Sequence, residues 1–183
     1  MPGFTPENEL ERAAIGDAEL VDGLRWGEPR ASHPEGRVGA HVRDLLDTLE
    51  EWGETGERRR ELRFLALIHD ALKHEVSDWR PRTGENHHAM RARRHAEGYT
   101  GDERLLSTLE LHDKPYSLWK KMRRKGRLDE KAFEDMLARV PDRELFLRFV
   151  ELDGSTEGKN REPLRWFEAE LGRRGVFERG GGA

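Results

Sequence analysis

Four side chains that can bind a metal ion stand far apart along this chain. They are His41, the adjacent residues His69 and Asp70, and Asp153. Imidazole nitrogens and carboxylate oxygens bind borderline and hard divalent cations, so this set favours Mn, Fe, Co, Ni, Zn or Mg. The chain has no cysteine, which excludes disulfides, thiolate zinc sites and cysteine nucleophiles. We therefore predict a divalent metal ion as the cofactor.

Each of these side chains lies at or beside an apolar run that would turn it inward. The apolar run 64–68 predicts a buried helix over about 58–73, with His69 and Asp70 near its end. Neighbouring helical residues point about 100° apart, so this pair can share one ion only where the helix ends. His41 lies on the apolar stripe of a predicted helix over 36–52. Asp153 ends a predicted helix that Pro141 opens.

The remaining pattern predicts an all-α protein with a single domain. Helical spacing recurs throughout, Asn86 is a predicted N-cap for a helix starting at His87, and no segment alternates like a strand. We expect three regions: 1–34 as an N-terminal helical lead-in and loop, 35–173 as the metal-binding helical domain, and 174–183 as a flexible C-terminal tail.

The composition limits the kinds of partner that we expect this protein to bind. The 183 residues are 34% apolar and 38% charged, which fits short amphipathic helices, and the net charge of −4 makes long nucleic acid an unlikely partner. Neither a signal peptide nor a run long enough to span a membrane is apparent, so we expect a cytoplasmic protein with no membrane partner. The sequence leaves the oligomeric state open.

The order and surroundings of these residues resemble a known family. The segment 33–41, which reads HPEGRVGAH, precedes LIHDALK at 67–73 and then Asp153. This series resembles the HD superfamily of metal-dependent phosphohydrolases, named for its His…His-Asp…Asp signature. The resemblance implies an HD-type helical bundle in which His41, His69, Asp70 and Asp153 bind a first metal ion.

Several branches of that family hold a second metal ion, which implies one or two ions per chain. Two further histidines complete the second site, and the paired aspartate bridges both. Here the candidates are His87 or His88 for one ligand and His112 for the other, with Asp70 as the bridge. We leave His33, His74 and His95 as loop or solvent residues.

The implied function is a phosphohydrolase, either a phosphomonoesterase or a phosphodiesterase, that uses metal-activated water on a small phosphorylated substrate. We expect a nucleotide. Asp70, Lys73 and Glu75 are the predicted catalytic residues, while Lys73, Arg91 and Arg94 are the predicted substrate-binding residues. The acidic residues that mark alarmone hydrolases and deoxynucleotidases after the central motif are missing, so neither substrate is carried over.

Two alternatives remain open. A metal-binding or regulatory module could share this fold without turnover. A single-strand nuclease is the other alternative, because the run 120–127 (KKMRRKGR) is strongly basic.

Overall fold

The structure is a computed structural model that describes residues 4–29, 35–156 and 158–176, and these residues form helices and connecting turns without a strand. The α-helices in these ranges are α1 Glu9–Ile15, α2 Ala18–Arg25, α3 Val38–Glu51, α4 Gly56–Ile68, α5 His88–Ala96, α6 Glu103–Leu111, α7 Lys114–Lys125, α8 Glu130–Ala138, α9 Arg143–Asp153 and α10 Glu162–Arg173. Two 3₁₀ helices, Ala71–Glu75 and Gly84–Asn86, lie between α4 and α5. The predicted all-α class is confirmed, and none of the described helices is long and apolar enough to cross a membrane.

The helix α4 is the centre of the fold, because every side chain from Glu61 to Ile68 is buried. It packs against α1, α3, α6 and α9. A helix that is apolar on all faces is stable only when other elements surround it. The predicted helix over 58–73 is too long: α4 ends at Ile68, His69 and Asp70 form a turn, and a 3₁₀ helix begins at Ala71.

Two apolar clusters fill the interior. The larger surrounds α4 and includes Leu145, Phe149 and Leu152 from α9. The smaller lies among α7, α8 and α10 and takes Phe146 from the other face of α9. Since α9 contributes to both clusters, the position of Asp153 at its end depends on the packing of both.

The N-terminal lead-in consists of two helices, α1 and α2. Asp17 caps α2 by accepting a hydrogen bond from the backbone N–H of Glu19 at 2.9 Å. Both helices join the larger cluster, and buried Glu11 on α1 accepts a hydrogen bond from buried Arg63 on α4 at 2.9 Å. The lead-in is therefore built into the main core.

The structure also refines two predicted boundaries. The helix α5 begins at His88 with His87 as its N-cap, so Asn86 is not the cap. The buried Asn86 side chain instead bonds the backbone N–H and carbonyl of Ser77, both at 2.9 Å, and so holds the preceding loop. At the other end, Arg174 forms ion pairs with Glu134 and Glu170, so it belongs to the folded part. Residues 177–183 of the predicted tail, and His33, lie outside the described residues.

Two helical glycines provide a test of the packing next to the central turn. A Cβ at Gly23 on α2 would lie 1.8 Å from the carbonyl oxygen of Ala71, whereas one at Gly172 on α10 would meet nothing within 4 Å. We expect Gly23→Ala to reduce the free energy of unfolding by about 2–3 kcal/mol through overpacking. Gly172→Ala should raise it by about 0.5–1 kcal/mol, because alanine favours the helix. Denaturant titrations followed by circular dichroism measure the free energy of unfolding of both variants. An unchanged free energy of unfolding in Gly23→Ala would contradict the close approach of α2 to Ala71.

Candidate metal centre

The ends of several helices meet at one buried point. His69 follows the last residue of α4, His112 follows that of α6, and Asp153 is the last residue of α9. The rings of His69 and His112 are 5.3 Å apart, and the ring of His41, from α3, is 5.4 Å from that of His69. The fold thus brings three residues of the predicted first site, His41, His69 and Asp153, close to His112 of the predicted second site.

The first ligand group consists of His41, His69, Asp70 and Asp153. The Oδ1 atom of Asp153 lies 3.0 Å from Nε2 of His41 and 3.5 Å from Nε2 of His69. The Oδ2 atom of Asp70 lies 3.4 Å from the same His69 nitrogen. Ligand atoms about 2.1 Å from a metal ion are separated by about 3.0–3.4 Å in octahedral or tetrahedral geometry. These separations therefore suit one shared cation.

The orientation of His69 leaves one nitrogen available for a metal ion. Its Nδ1–H donates a hydrogen bond to the carbonyl of Ala66 at 2.9 Å, which places the lone pair of the neutral ring on Nε2. That Nε2 atom is buried and makes no hydrogen bond within the described part of the chain. A buried imidazole nitrogen without a partner, facing two carboxylates, fits a metal ligand.

A second group lies on the other side of Asp70. Nε2 of His88 is 3.6 Å from Oδ1 of Asp70 and 3.3 Å from Oδ2 of Asp113. It is also buried without a hydrogen-bond partner among the described residues. His112 repeats the arrangement of His69, since its Nδ1–H donates to the carbonyl of Leu109 at 2.8 Å. The ligand atoms of Asp70, His88 and His112 all lie within 4.8 Å of one another.

Asp70 connects the two groups. Its Oδ2 faces His69, and its Oδ1 faces His88. A carboxylate whose oxygens face two separate sets of ligands has the geometry of a bridge between two cations. This placement agrees with the bridging role expected for Asp70.

The structure also distinguishes between the adjacent residues His87 and His88. His87 uses Nδ1 to accept the backbone N–H of Ala89 at 3.2 Å, which caps α5. In the neutral ring the proton is then on Nε2, so neither nitrogen of His87 offers a lone pair to a cation. The ring of His87 stacks on that of His88 at 4.6 Å. Of the two, His88 is therefore the histidine whose nitrogen could reach a cation, and His87 caps the helix that carries it.

Both central carboxylates are ionised although they are surrounded by protein. Burial by itself would raise the pKa of Asp70, but the charges of His69 and Lys73 outweigh it and hold that pKa well below its usual range. Burial likewise opposes ionisation of Asp153, whose pKa is nevertheless well below its usual range because of the charge of Lys159, the hydrogen bond with His41 and the charge of His69. Two negative charges, one buried and one partly buried, are thus available to a cation.

Burial and the nearby carboxylates shift the pKa values of the histidines in different directions. Burial lowers the pKa of His41, and it lowers the pKa of His88 to about 3, so both rings are neutral at physiological pH. Burial would also lower the pKa of His69, but Asp70 and Asp153 outweigh it and raise that pKa to about 9. A field that holds a proton on His69 also attracts a metal cation, which would take the place of that proton.

A cavity of about 610 Å³ opens onto the first group. His41, Asp70 and Lys73 form part of its wall. Cationic and aromatic side chains from the lead-in and from the start of α3 form another part: Arg25, Trp26 and Arg37. Substrate-sized pockets in proteins typically enclose about 300–1,000 Å³, so this volume is large enough for a small molecule.

Of the other predicted site residues, only Lys73 touches the group, since its ammonium forms an ion pair with Oδ2 of Asp70. Glu75 is paired with Arg91 at 2.7 Å, and neither makes a hydrogen bond or ion pair to the histidines or aspartates of the two groups. Arg94 is exposed and pairs with Glu85 and Glu97. Their catalytic and substrate-binding roles stay predictions.

Sequence reasoning missed three residues of the site. Asp113, at the N-cap position of α7, faces His88, and Lys159 donates a hydrogen bond from Nζ to Oδ1 of Asp153 at 2.6 Å. Glu35 lines the cavity, with its carboxylate 3.6 Å from Nδ1 of His41. The dipeptide formed with His112 was a visible signal for Asp113. Nothing in the sequence pattern distinguishes Lys159 from the many other surface lysines and arginines.

No protein-family model, curated protein or solved structure matches the chain.

A comparison of neighbouring histidines tests the second group. We expect His88→Ala to lower the bound metal by about one equivalent, because it removes a ligand nitrogen, whereas His87→Ala should retain the metal and lose only stability of the α5 N-terminus. Losing an N-cap typically costs about 1 kcal/mol. Metal content is measured by mass spectrometry after reconstitution with Mn²⁺, and the melting temperature reports folding. Equal metal loss in both variants would contradict the assignment.

Proposed function

We propose that this protein is a metal-dependent phosphohydrolase that acts on a small phosphorylated substrate, with a nucleotide as the expected class. The observation that carries the proposal is the placement of Asp70, whose two oxygens face two groups of buried histidines. The resemblance to the HD superfamily supports the same reading, since its signature residues are the ones that meet here. The adjoining cavity supports a small substrate.

The residues of the site have separate proposed roles in holding the cations and orienting the ligands. The ligand atoms of His41, His69 and Asp70 lie within 4.8 Å of one another, and with Asp153 beside the two histidines they would hold a first divalent cation. Asp70, His88 and His112 would hold a second. Bound divalent cations lower the pKa of water to about 7 and neutralise phosphoryl oxygens. The hydrogen bonds from His69 and His112 to backbone carbonyls fix the ring orientation before any substrate arrives.

The cavity wall supports a phosphorylated ligand that carries a ring. Lys73 lies beside Asp70 and can donate N–H groups to phosphoryl oxygens there. Arg25 and Arg37 place guanidinium donors in the wall, where Glu28 and Glu35 offset their charge. Trp26 is 44% exposed, so its ring is accessible to a nucleobase. Stacking of a base on an aromatic side chain contributes about 1–3 kcal/mol in nucleic-acid complexes.

The proposal is tested by metal content and hydrolysis together. The wild type, loaded with Mn²⁺, should release phosphate from p-nitrophenyl phosphate or from nucleoside monophosphates. Asp70→Asn should bind less metal and lose about 10³-fold in kcat/KM, since the metal's charge stabilisation contributes several kcal/mol. The matched control is Asp135→Asn, which removes an exposed carboxylate paired with Lys131. A wild type that binds no divalent metal, or equal losses in the two variants, would rule out this function.

The surface of α7 favours a second candidate, a single-strand nuclease. This helix starts directly after Asp113. It carries Tyr116 and Trp119, whose rings stack on each other with their centroids 6.0 Å apart. Arg123 lies over the Trp119 ring at 5.9 Å. The exposed cations of this helix include Lys120, Arg123, Arg124 and Lys125. Stacked aromatic rings beside positive charge are typical of surfaces that bind single strands.

Salt dependence distinguishes the two candidates. A nuclease using α7 should bind a fluorescent single strand of about 12 nucleotides, with log K falling by about 0.7 for each phosphate contacted per tenfold rise in salt. The double variant Lys120→Gln/Arg124→Gln should flatten that slope, and Lys131→Gln, an exposed lysine on α8, should not. Fluorescence anisotropy measures the affinity. A small-substrate phosphohydrolase should bind the strand weakly at every salt concentration.

A further inference from the structure

Each carboxylate of the first ligand group carries a lysine. The ammonium of Lys73 forms an ion pair with Oδ2 of Asp70. The ammonium of Lys159, in the connection between α9 and α10, donates to Oδ1 of Asp153 at 2.6 Å and to the backbone carbonyl of the same residue at 2.6 Å. The oxygen held by Lys159 is the one that faces His41 and His69. Both lysines therefore lie next to the position that suits the cation.

The charged groups around the ligands determine the charge of the site. The two lysines offset Asp70 and Asp153, and two further carboxylates lie close by: Glu35, 3.6 Å from Nδ1 of His41, and Asp113, 3.3 Å from Nε2 of His88. Two divalent cations held by neutral histidines would therefore leave an excess of about two positive charges in a largely buried site, where unbalanced charge is costly. The bound ligand must supply the missing negative charge.

The lysines also have unused hydrogen-bond donors. An ammonium has three N–H groups. Within the described part of the chain, Lys159 uses two of them, both on Asp153, and Lys73 uses one on Asp70. The side chains of Lys73 and Lys159 are 22% and 18% exposed, so the remaining N–H groups can meet a ligand that enters from solvent. Lys73 also lines the cavity.

We propose that Lys73 and Lys159 form a two-lysine clamp that selects a phosphomonoester dianion over a phosphodiester monoanion. The proposal rests on the proposed function and narrows its substrate class. A terminal phosphate has three free oxygens and two negative charges, which match the available donors and the excess charge. A diester has two free oxygens and one charge, so it leaves a donor and a positive charge uncompensated. Lys159 is the residue whose role in ligand binding is new.

Binding measurements test the clamp independently of turnover. The wild type loaded with Mn²⁺ is titrated by calorimetry at about pH 8.5 with inorganic phosphate, which is then a dianion, and with the monoanion dimethyl phosphate. We expect phosphate to bind about 10²-fold more tightly, because charge-assisted hydrogen bonds are the strong ones. Equal affinities, or tighter binding of dimethyl phosphate, would overturn the clamp and favour a diester substrate.

Variants of Lys159 separate ligand binding from support of Asp153. Lys159→Gln should weaken phosphate binding by about 10-fold to 30-fold at unchanged metal stoichiometry, and Lys159→Arg should restore most of the affinity. The matched control is Lys121→Gln, which removes a lysine that also pairs with an aspartate, Asp129, on a different surface. Unchanged phosphate affinity in Lys159→Gln would overturn the proposal. So would a variant that binds less metal but whose metal-loaded fraction binds phosphate as tightly as the wild type does.

The two levels of the hypothesis fail in different ways. A wild type that binds no metal overturns the proposed function and the clamp with it, because the excess positive charge comes from the cation. A wild type that binds metal and hydrolyses phosphoesters but prefers diesters overturns only the clamp. Metal content and the ratio of the two affinities therefore identify which statement is wrong.

Discussion

The structure depends on keeping two carboxylates ionised inside a helical core. Asp70 is 5% exposed, and the oxygen of Asp153 that faces inward lies between two histidines. An unpaired buried charge costs several kcal/mol, so each carboxylate needs a compensating partner at close range. The lysines at 73 and 159 and the imidazole of His69 supply that compensation. Glu35, 3.6 Å from Nδ1 of His41, balances the remaining positive charge, so the site is close to neutral without an ion.

Helix ends explain how the fold can place so many polar groups at one buried point. The last carbonyls of a helix have no partner within the helix, and a histidine just beyond the end can donate its Nδ1–H to one of them. His69 and His112 both do this, each to the carbonyl three residues earlier. One hydrogen bond then satisfies the backbone and directs Nε2 toward the carboxylates. A histidine in the middle of a helix finds every nearby carbonyl already bonded.

The sequence predicted the features that depend on local pattern and missed those that depend on how segments meet. The buried run 64–68 indicated a central helix, and the polar residues at the ends of apolar runs, His69 and Asp153, do converge. Choosing between His87 and His88 required the start of α5 to within one residue, because the cap and the first helical residue point in different directions. Lys159 was not predictable, since its contact depends on the path of a connection six residues beyond Asp153.

Because its charges are balanced without an ion, this site differs from metal sites whose ligands repel one another until the ion binds. In small zinc domains the free energy of metal binding is also the free energy of folding, because the ligands form no stable arrangement alone. Here Asp70 and Asp153 are held by ammonium groups, and the helices that carry them are fixed by two apolar clusters. The chain can therefore fold first and bind a cation afterwards. Under the proposed function, the nearby lysines would reduce metal affinity and an anionic ligand would restore it, so cation and substrate should bind cooperatively.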